Sequence, residues 1–341
     1  MCSVTETEPG PAPPGIDPVM KGLVDACSLR FTMDDGVEYA REQLRALKPP
    51  PETLPTMRIQ DRTIGYGDVS AVPVRIYWPS IDQHDNLPVV VFYHGGGWAI
   101  GDLDVYDGAA RAHALGAEAI VVSVGYRLAP EHPYPAAIED SWAALRWVGE
   151  HAAELGGDAT RIAVAGDSAG GNICAVMTQL ARDNGGPQLV FQLLWYPATT
   201  VDLTLPSMTE HADAPMLSAD MVATYVRWYL PPGFDATNPI ALPPTLAPAN
   251  STDLSRLPSA YIGIAEYDPL RDDGARYAEL LEAAGVPVEL HNATTMVHGY
   301  MAFATAVPMA AEATNRALAA LKADLHRTRP SATYDSHSPD E

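Results

Sequence analysis

Four short segments of the chain carry residue types that could act together on a carbonyl group. In chain order they are His94-Gly95-Gly96-Gly97-Trp98, Gly166-Asp167-Ser168-Ala169-Gly170-Gly171, Asp268-Pro269-Leu270 and His298-Gly299. A serine becomes a nucleophile when a histidine accepts its proton, and a carboxylate holds that histidine in the required tautomer. Because all four segments occur in one chain, we predict acyl transfer by a nucleophilic serine.

The segment around Ser168 has the form Gly-x-Ser-x-Gly and follows an apolar run, Arg161 to Ala165. On a sharp turn between a strand and a helix, such a serine is exposed to substrate. Small neighbours are required because the turn strains the backbone. A glycine-rich turn with an incidental serine is the structural alternative, which the other three segments disfavour. We therefore predict that Ser168 is the nucleophile.

The glycines after His94 leave backbone N–H groups bare, so that a substrate carbonyl can approach within hydrogen-bonding distance. We predict that the oxyanion of the tetrahedral intermediate is bound by the N–H groups of Gly96, Gly97 and Ala169. Three neighbours are expected to support these motifs without reacting: His94, Gly95 and Asp167.

The base and the acid are expected after the last strands of the chain. His298 lies in a loop beyond an apolar run, whereas His291 ends that run, so His298 is favoured as the base. Asp268 directly follows the strand predicted at 259–265 and precedes a proline, which favours it as the acid. Glu266, Asp272 and Asp273 are the competing carboxylates, and the last two lie where carboxylates usually cap a helix.

Composition limits the classes of protein and partner. The chain has 341 residues, 47% of them apolar, so it can bury a large core. A formal charge of −22 argues against nucleic acid and anionic membranes as partners, and solubility explains that charge most simply. Three scattered cysteines, and histidines on unrelated segments, predict neither disulfides nor a metal site, and no cofactor motif is found. With no signal peptide and no apolar run of about 18 residues, we expect a cytoplasmic protein.

After residue 88 short apolar runs alternate with helical stretches, which predicts a parallel sheet whose strands are buried on both faces. An antiparallel pair is expected before it, between Met57 and Trp78. Residues 200–249 break the alternation, and with the helices predicted in 17–47 we expect them to form a cap over the strand ends. The expected divisions are a disordered N-terminus (1–16), cap helices (17–52), a core (53–199 and 250–328), a cap insertion (200–249) and a disordered tail (329–341).

These motifs, with the stretch from Tyr126 to Ala137 and Asp268-Pro269-Leu270-Arg271-Asp272, resemble the hormone-sensitive-lipase-like carboxylesterases. The resemblance runs from about residue 17 to 325, and Asp167 beside the serine indicates the Gly-Asp-Ser-Ala-Gly subgroup. It implies an α/β-hydrolase fold, with a mostly parallel eight-stranded sheet flanked by helices, and a helical cap. It also implies a family that is often dimeric through its last strand and helix. Arg127 and Glu131 are expected to pair and hold the Pro-rich loop.

The expected function is hydrolysis of a small-molecule carboxylic ester without a cofactor. Amidase or deacetylase action with the same residues is the nearer alternative, and a non-catalytic small-molecule receptor on the same fold is the more distant one. A closed acyl pocket predicts preference for unbranched chains of roughly two to eight carbons. Its expected walls include Met208, Met216, Trp228 and Tyr229.

Overall fold

The computed structural model describes residues 14–26, 34–48, 50–82, 86–235 and 237–328. Residues 1–13 and 329–341, for which disorder is predicted, lie outside the described part of the chain, as do Cys2 and Cys27. Within the described part, no helix combines the length and the apolar character needed to cross a membrane.

The described residues form an eight-stranded sheet with the order β1-β2-β4-β3-β5-β6-β7-β8. Its strands are β1 (Arg58–Tyr66), β2 (Val69–Trp78), β3 (Leu87–Tyr93), β4 (Ile120–Val124), β5 (Gly157–Asp167), β6 (Leu189–Trp195), β7 (Ser259–Tyr267) and β8 (Val288–Val297). β2 pairs antiparallel with β1 and with β4, and every other pairing is parallel. This architecture, with helices on both faces, confirms the predicted α/β-hydrolase fold class.

The helices of the described residues lie between these strands and at both ends of the chain. They are α1 (Pro18–Ala26), α2 (Gly36–Ala46), α3 (Asp107–Ala117), α4 (Ala136–His151), α5 (Ala169–Asp183), α6 (Pro206–Glu210), α7 (Ala219–Tyr229), α8 (Arg271–Ala283) and α9 (Pro308–Leu325). Short 3-10 turns add to them at Pro51–Thr53, Ala152–Leu155, Pro239–Ala241, Pro248–Asn250 and Tyr300–Phe303.

The core has two halves, one on each face of the sheet. Along β3, Val89, Val91 and Tyr93 belong to one buried cluster, and the intervening Val90 and Phe92 belong to the other. Successive side chains of a strand point to opposite faces, so a strand that is apolar at every position must be covered on both. Helices α4, α5 and α8 contribute to the first cluster, while α3 and α9 contribute to the second.

β8 is longer than the sequence predicts. The apolar run suggests a strand over 286–290, but the strand continues to Val297. It lies at the edge of the sheet and pairs only with β7, so half-exposed polar residues are tolerated along it. As a result His291 lies inside the strand, paired with Gly263, and His298 follows immediately after its end.

Two parts of the chain lie against the loop that follows β3, since Arg41 on α2 contacts Ala99 and Tyr225 on α7 lies against Gly97. Helices α1 and α2 come from the N-terminal region, and α6 and α7 lie in the segment between β6 and β7. In this second segment most of the described residues outside α6 and α7 are irregular, with short 3-10 turns.

Candidate active site

Ser168 sits on a sharp turn between β5 and α5. Its backbone has φ 56° and ψ −117°, a conformation that costs a non-glycine residue energy. The turn is tight because its glycines pack against neighbouring backbone: a Cβ on Gly170 would lie 2.0 Å from the carbonyl oxygen of Tyr93. The Ser168 N–H donates to the carbonyl of Trp195 on β6 (2.8 Å), which fixes the turn to the sheet.

The structure brings Ser168, His298 and Asp268 into one hydrogen-bonded line. His298 Nε2 lies 3.1 Å from Ser168 Oγ, and His298 Nδ1 lies 2.6 Å from Asp268 Oδ2. Asp268 is fully buried, and its other oxygen accepts the N–H of Leu270 at 2.8 Å. With Nδ1 donating to the carboxylate, Nε2 carries a lone pair that can accept the serine proton.

The competing carboxylates have other contacts, and the ring of the competing His291 lies beside Tyr261, with centroids 6.5 Å apart. Glu266 pairs with Arg271, and Asp272 accepts the N–H of Ser207. The Asp273 carboxylate is buried and accepts hydrogen bonds from the N–H and hydroxyl groups of Thr199 and Thr200. The Asp272 and Asp273 carboxylates therefore tie the segment after β6 to α8. The sequence suggested instead that they cap their own helix.

The loop predicted to bind the oxyanion follows β3 and lies against the turn at Ser168. Gly96 and Gly97 have φ of 104° and 56°, in the region that favours glycine. A Cβ on Gly96 would lie 2.2 Å from the carbonyl of Ile100. Among the hydrogen bonds of the described residues, none takes up the N–H groups of Gly96, Gly97 or Ala169. These three groups are therefore available to a ligand.

Asp167 and His94 brace this loop. The Asp167 carboxylate accepts the Gly95 N–H at 2.9 Å and the Tyr106 hydroxyl at 3.3 Å. Burial raises the pKa of Asp167 to about 6. Burial also lowers the pKa of His94 to about 4, so its imidazole is neutral at pH 7, and Nδ1 donates to the carbonyl of Gly95 at 2.7 Å.

The predicted pair between Arg127 and Glu131 is wrong. Arg127 binds Asp140 on α4 with two nitrogens, at 2.8 and 2.9 Å. Glu131 instead binds Arg41 on α2. Both residues do hold the Pro-rich loop: Arg127 joins it to α4, which follows it directly, and Glu131 joins it to α2 from the N-terminal region.

A narrow cavity of about 30 Å³ lies beside Ser168. Most of its wall is apolar and comes from the segment between β6 and β7, with Val201, Leu203, Met208, Leu217 and Val222. Of the four expected wall residues, Met208 lines this cavity. Met216, Trp228 and Tyr229 are not among the described residues that form its wall, and Tyr229 instead stacks on Trp98, with ring centroids 4.4 Å apart.

One group of potential metal ligands occurs among the described residues, away from the cavity: Glu210, His211 and Glu266. The guanidinium of Arg271 lies among them, with its nitrogens 2.7 Å from Glu210, 2.9 Å from Glu266 and 3.0 Å from His211. A fixed positive charge at this position disfavours a metal cation, so we interpret the group as an ion-pair network.

Among the residues that contact the site, Tyr196 and Tyr106 were not predicted. The Tyr196 ring packs edge-on against His298, with centroids 4.7 Å apart. Tyr106 reaches the Asp167 carboxylate from the loop before α3. Tyr196 follows β6 directly, so its position at a strand end was a usable signal, whereas nothing local marks Tyr106.

Comparison with known proteins gives concordant results. Residues 90–302 match a family model described as alpha/beta hydrolase fold. The chain is 67% identical over 320 residues to carboxylesterase NlhH of Mycobacterium tuberculosis, covering 94% of this chain and 99% of that protein. Esterase LipI of the same organism is 55% identical over 314 residues, covering 92% and 96%.

Solved structures show the same similarity in three dimensions. The crystal structure of DphMB1 superposes with a TM-score of 0.83 at 54% identity, covering 91% of this chain and 99% of that one. The hyperthermophilic esterase of the archaeon Pyrobaculum calidifontis gives a TM-score of 0.81 at 35% identity, with coverage of 91% and 98%.

Proposed function

The chain belongs to the α/β-hydrolase family and is a carboxylesterase, and from this premise we propose that Ser168, His298 and Asp268 hydrolyse short- to medium-chain acyl esters through an acyl-enzyme. The observation that carries the proposal is the hydrogen-bonded line from Asp268 through His298 to Ser168. We also assign the chain to the hormone-sensitive-lipase-like group, on the motifs around His94 and Asp167.

In the first half of the reaction, Ser168 Oγ attacks the ester carbonyl carbon while His298 Nε2 takes the hydroxyl proton. The carbonyl oxygen becomes an oxyanion and accepts hydrogen bonds from the N–H groups of Gly96, Gly97 and Ala169. When the carbon–oxygen bond to the alcohol breaks, the imidazolium gives its proton to the leaving alkoxide. The alcohol departs and the acyl group remains on Ser168.

In the second half, a water molecule takes the place of the alcohol. His298 Nε2 removes its proton as the water oxygen attacks the acyl carbonyl, and the oxyanion forms again at the same three N–H groups. Collapse of this intermediate returns the proton to Ser168 Oγ and releases the carboxylic acid. Throughout, Asp268 stabilises the imidazolium and keeps Nδ1 protonated.

The cavity sets the expected chain length. Its free space of about 30 Å³ is far smaller than a site that encloses a long lipid tail, and its wall is apolar. We therefore expect acetyl to butyryl esters to react fastest within the proposed range, because longer chains must displace wall residues such as Met208.

The test is a series of p-nitrophenyl esters from acetate to palmitate, measured for the wild type and for Ser168→Ala. We expect kcat/KM to peak between the acetate and the butyrate, and to fall at least about 10³-fold in the variant. Faster turnover of palmitate than of butyrate would contradict the chain-length proposal, and a variant with more than a tenth of wild-type activity would place the nucleophile elsewhere. Equal turnover of an ester and its matching amide would favour the amidase alternative.

A further inference from the structure

The far side of the oxyanion loop is held by an arginine of α2. The Arg41 guanidinium donates from Nε to the carbonyl of Ala99 (3.0 Å) and from Nη2 to the carbonyl of Ala129 (3.1 Å). Its remaining N–H groups bind Glu131, at 2.7 and 2.8 Å, and Glu38. The Arg41 side chain is 11% exposed, and its bonds to the two carbonyls are partly buried, whereas Glu131 and Glu38 are exposed.

The Ala99 carbonyl is connected to an oxyanion donor through two peptide groups. It shares a planar peptide with the N–H of Ile100, and this N–H donates to the carbonyl of Gly96 at 2.9 Å. The Gly96 carbonyl in turn shares a planar peptide with the N–H of Gly97. Because each peptide is planar and trans, the direction of one carbonyl determines the direction of the N–H on its other side.

This chain of hydrogen bonds begins at a guanidinium that is paired with two carboxylates and whose Nε–H donates directly to the Ala99 carbonyl. A cation that binds a carbonyl draws electrons from the peptide and makes its N–H a stronger donor, and hydrogen bonds in series strengthen one another. From Arg41, the effect runs through Ala99 and Ile100 to Gly96 and ends at the Gly97 N–H, which the proposed function assigns to the oxyanion.

We propose that Arg41 is a positioning residue for ester hydrolysis: from helix α2 it aligns and polarises the Gly97 N–H through the Ala99–Ile100 and Gly96–Gly97 peptides. The inference rests on the proposed function, because it needs Gly97 to bind the oxyanion. If Arg41 has this role, the chemical step is fast only when α2 is docked against the loop that follows β3.

Helix α7 supports the same loop from a second direction. A Cβ on Gly97 would lie 2.1 Å from the ring of Tyr225, so this ring lies directly on the glycine. One turn later, Tyr229 stacks on Trp98 with an interplanar angle of 4°. Residues 97, 98 and 99 are thus each contacted by a side chain from outside the core sheet.

The experiment compares variants that separate the loop contact from the ion pair. Arg41→Lys keeps the positive charge near Glu131 but loses the planar fork that reaches two carbonyls and a carboxylate at once. Glu131→Gln removes the charge of the partner and leaves the bonds of Arg41 to Ala99 and Ala129. Glu38→Gln is the matched control, since it changes an exposed partner of the same guanidinium. Arg41→Met removes the charge together with the fork.

For each variant, kcat and KM for p-nitrophenyl butyrate, Tm, and the affinity for butylboronic acid are measured. The boronic acid forms a tetrahedral adduct with a nucleophilic serine and places an oxygen in the oxyanion hole. For Arg41→Lys we expect kcat to fall about 10- to 100-fold, KM to change less than about threefold, and boronate affinity to fall with kcat/KM. For Glu131→Gln we expect a lower Tm but a kcat within about threefold of the wild type.

Three results would overturn the inference. They are a kcat of Arg41→Lys within about threefold of the wild type, a lower kcat with unchanged boronate affinity, and loss of the fold in both Arg41 variants, which would assign the residue to stability alone. The proposed function is judged separately, by the wild type and Ser168→Ala: an inactive wild type would refute that function, whereas an active one with an equally active Arg41→Lys would refute only the role of Arg41.

Discussion

Replacing Asp268 by asparagine tests the assignment of the acid, because the surroundings of this side chain allow the amide only one orientation. Asp268 Oδ1 accepts the N–H of Leu270 at 2.8 Å, so the amide oxygen of the asparagine must take that position. The NH₂ group then faces His298 Nδ1, where the carboxylate oxygen lay at 2.6 Å. An NH₂ group can only donate, so Nδ1 must lose its hydrogen and Nε2 must carry it.

In that tautomer His298 Nε2 presents a hydrogen to Ser168 Oγ and cannot accept the serine proton. The expected loss of kcat is up to about 10⁴-fold, the cost of the wrong imidazole tautomer in a serine triad. This corresponds to about 5.5 kcal/mol of transition-state stabilisation. Size and shape are conserved, so we expect KM and Tm to change little.

The assay is kcat for p-nitrophenyl butyrate at pH 7.5, with Asp272→Asn as the matched control. Asp272 accepts hydrogen bonds from Ser207 and Arg271, both at 2.9 Å, and its described contacts do not include His298. We expect this control to keep kcat within about tenfold, since it weakens only the attachment of α6. If Asp272→Asn lost more activity than Asp268→Asn, the choice of acid would be wrong.

Three further results are expected. Gly97→Ala should lower kcat about 10²-fold, because the new Cβ meets the Tyr225 ring at 2.1 Å and the donor N–H must shift; a kcat within threefold would argue against this donor. Burial raises the pKa of Asp167 from 3.8 to about 6, so the folded state binds this proton more tightly than the unfolded chain and stability falls as pH rises through that window. Asp167→Asn should remove this loss of folding free energy, which is on the order of 3 kcal/mol. The Tm of the variant should therefore rise relative to that of the wild type between about pH 4 and 7. A Tm difference that does not change with pH would contradict a raised pKa for Asp167. Incubation with EDTA should leave kcat/KM unchanged, because the proposed steps use no metal, and a loss of activity would point to a metal-activated water.

Much of the fold and of the candidate site was predictable because the relevant signals are local. Buried parallel strands appear as continuous apolar runs, and two of the residues proposed to act on the ester, Ser168 and Asp268, stand directly after such strands. The same rule failed at β8, where polar residues from His291 onward suggested that the strand had ended. An edge strand needs only one paired side, so its composition is a poor guide to its length.

Contacts between distant segments were not predictable in this way. Arg127 and Glu131 lie in one Pro-rich loop and were expected to pair and hold it, yet their partners Asp140 and Arg41 come from two different helices. Arg41 is 90 residues from Glu131 and 58 from Ala99, and no pattern in the sequence marks it. Such pairs depend on how helices dock onto the sheet, which periodicity and motif spacing do not specify.

Residues 268–272 both supply the proposed acid and attach helix α6 to the core. Beyond Asp268, Leu270 lines the cavity beside the nucleophile. Arg271 binds Glu210 on α6, and Asp272 accepts the N–H of Ser207 on the same helix. These residues lie within four positions of Asp268, so the same short segment holds the Asp268 carboxylate against His298 and attaches α6 to the core. The order of residues from 268 to 272 is therefore explained by attachment of α6 as much as by the need for an acid.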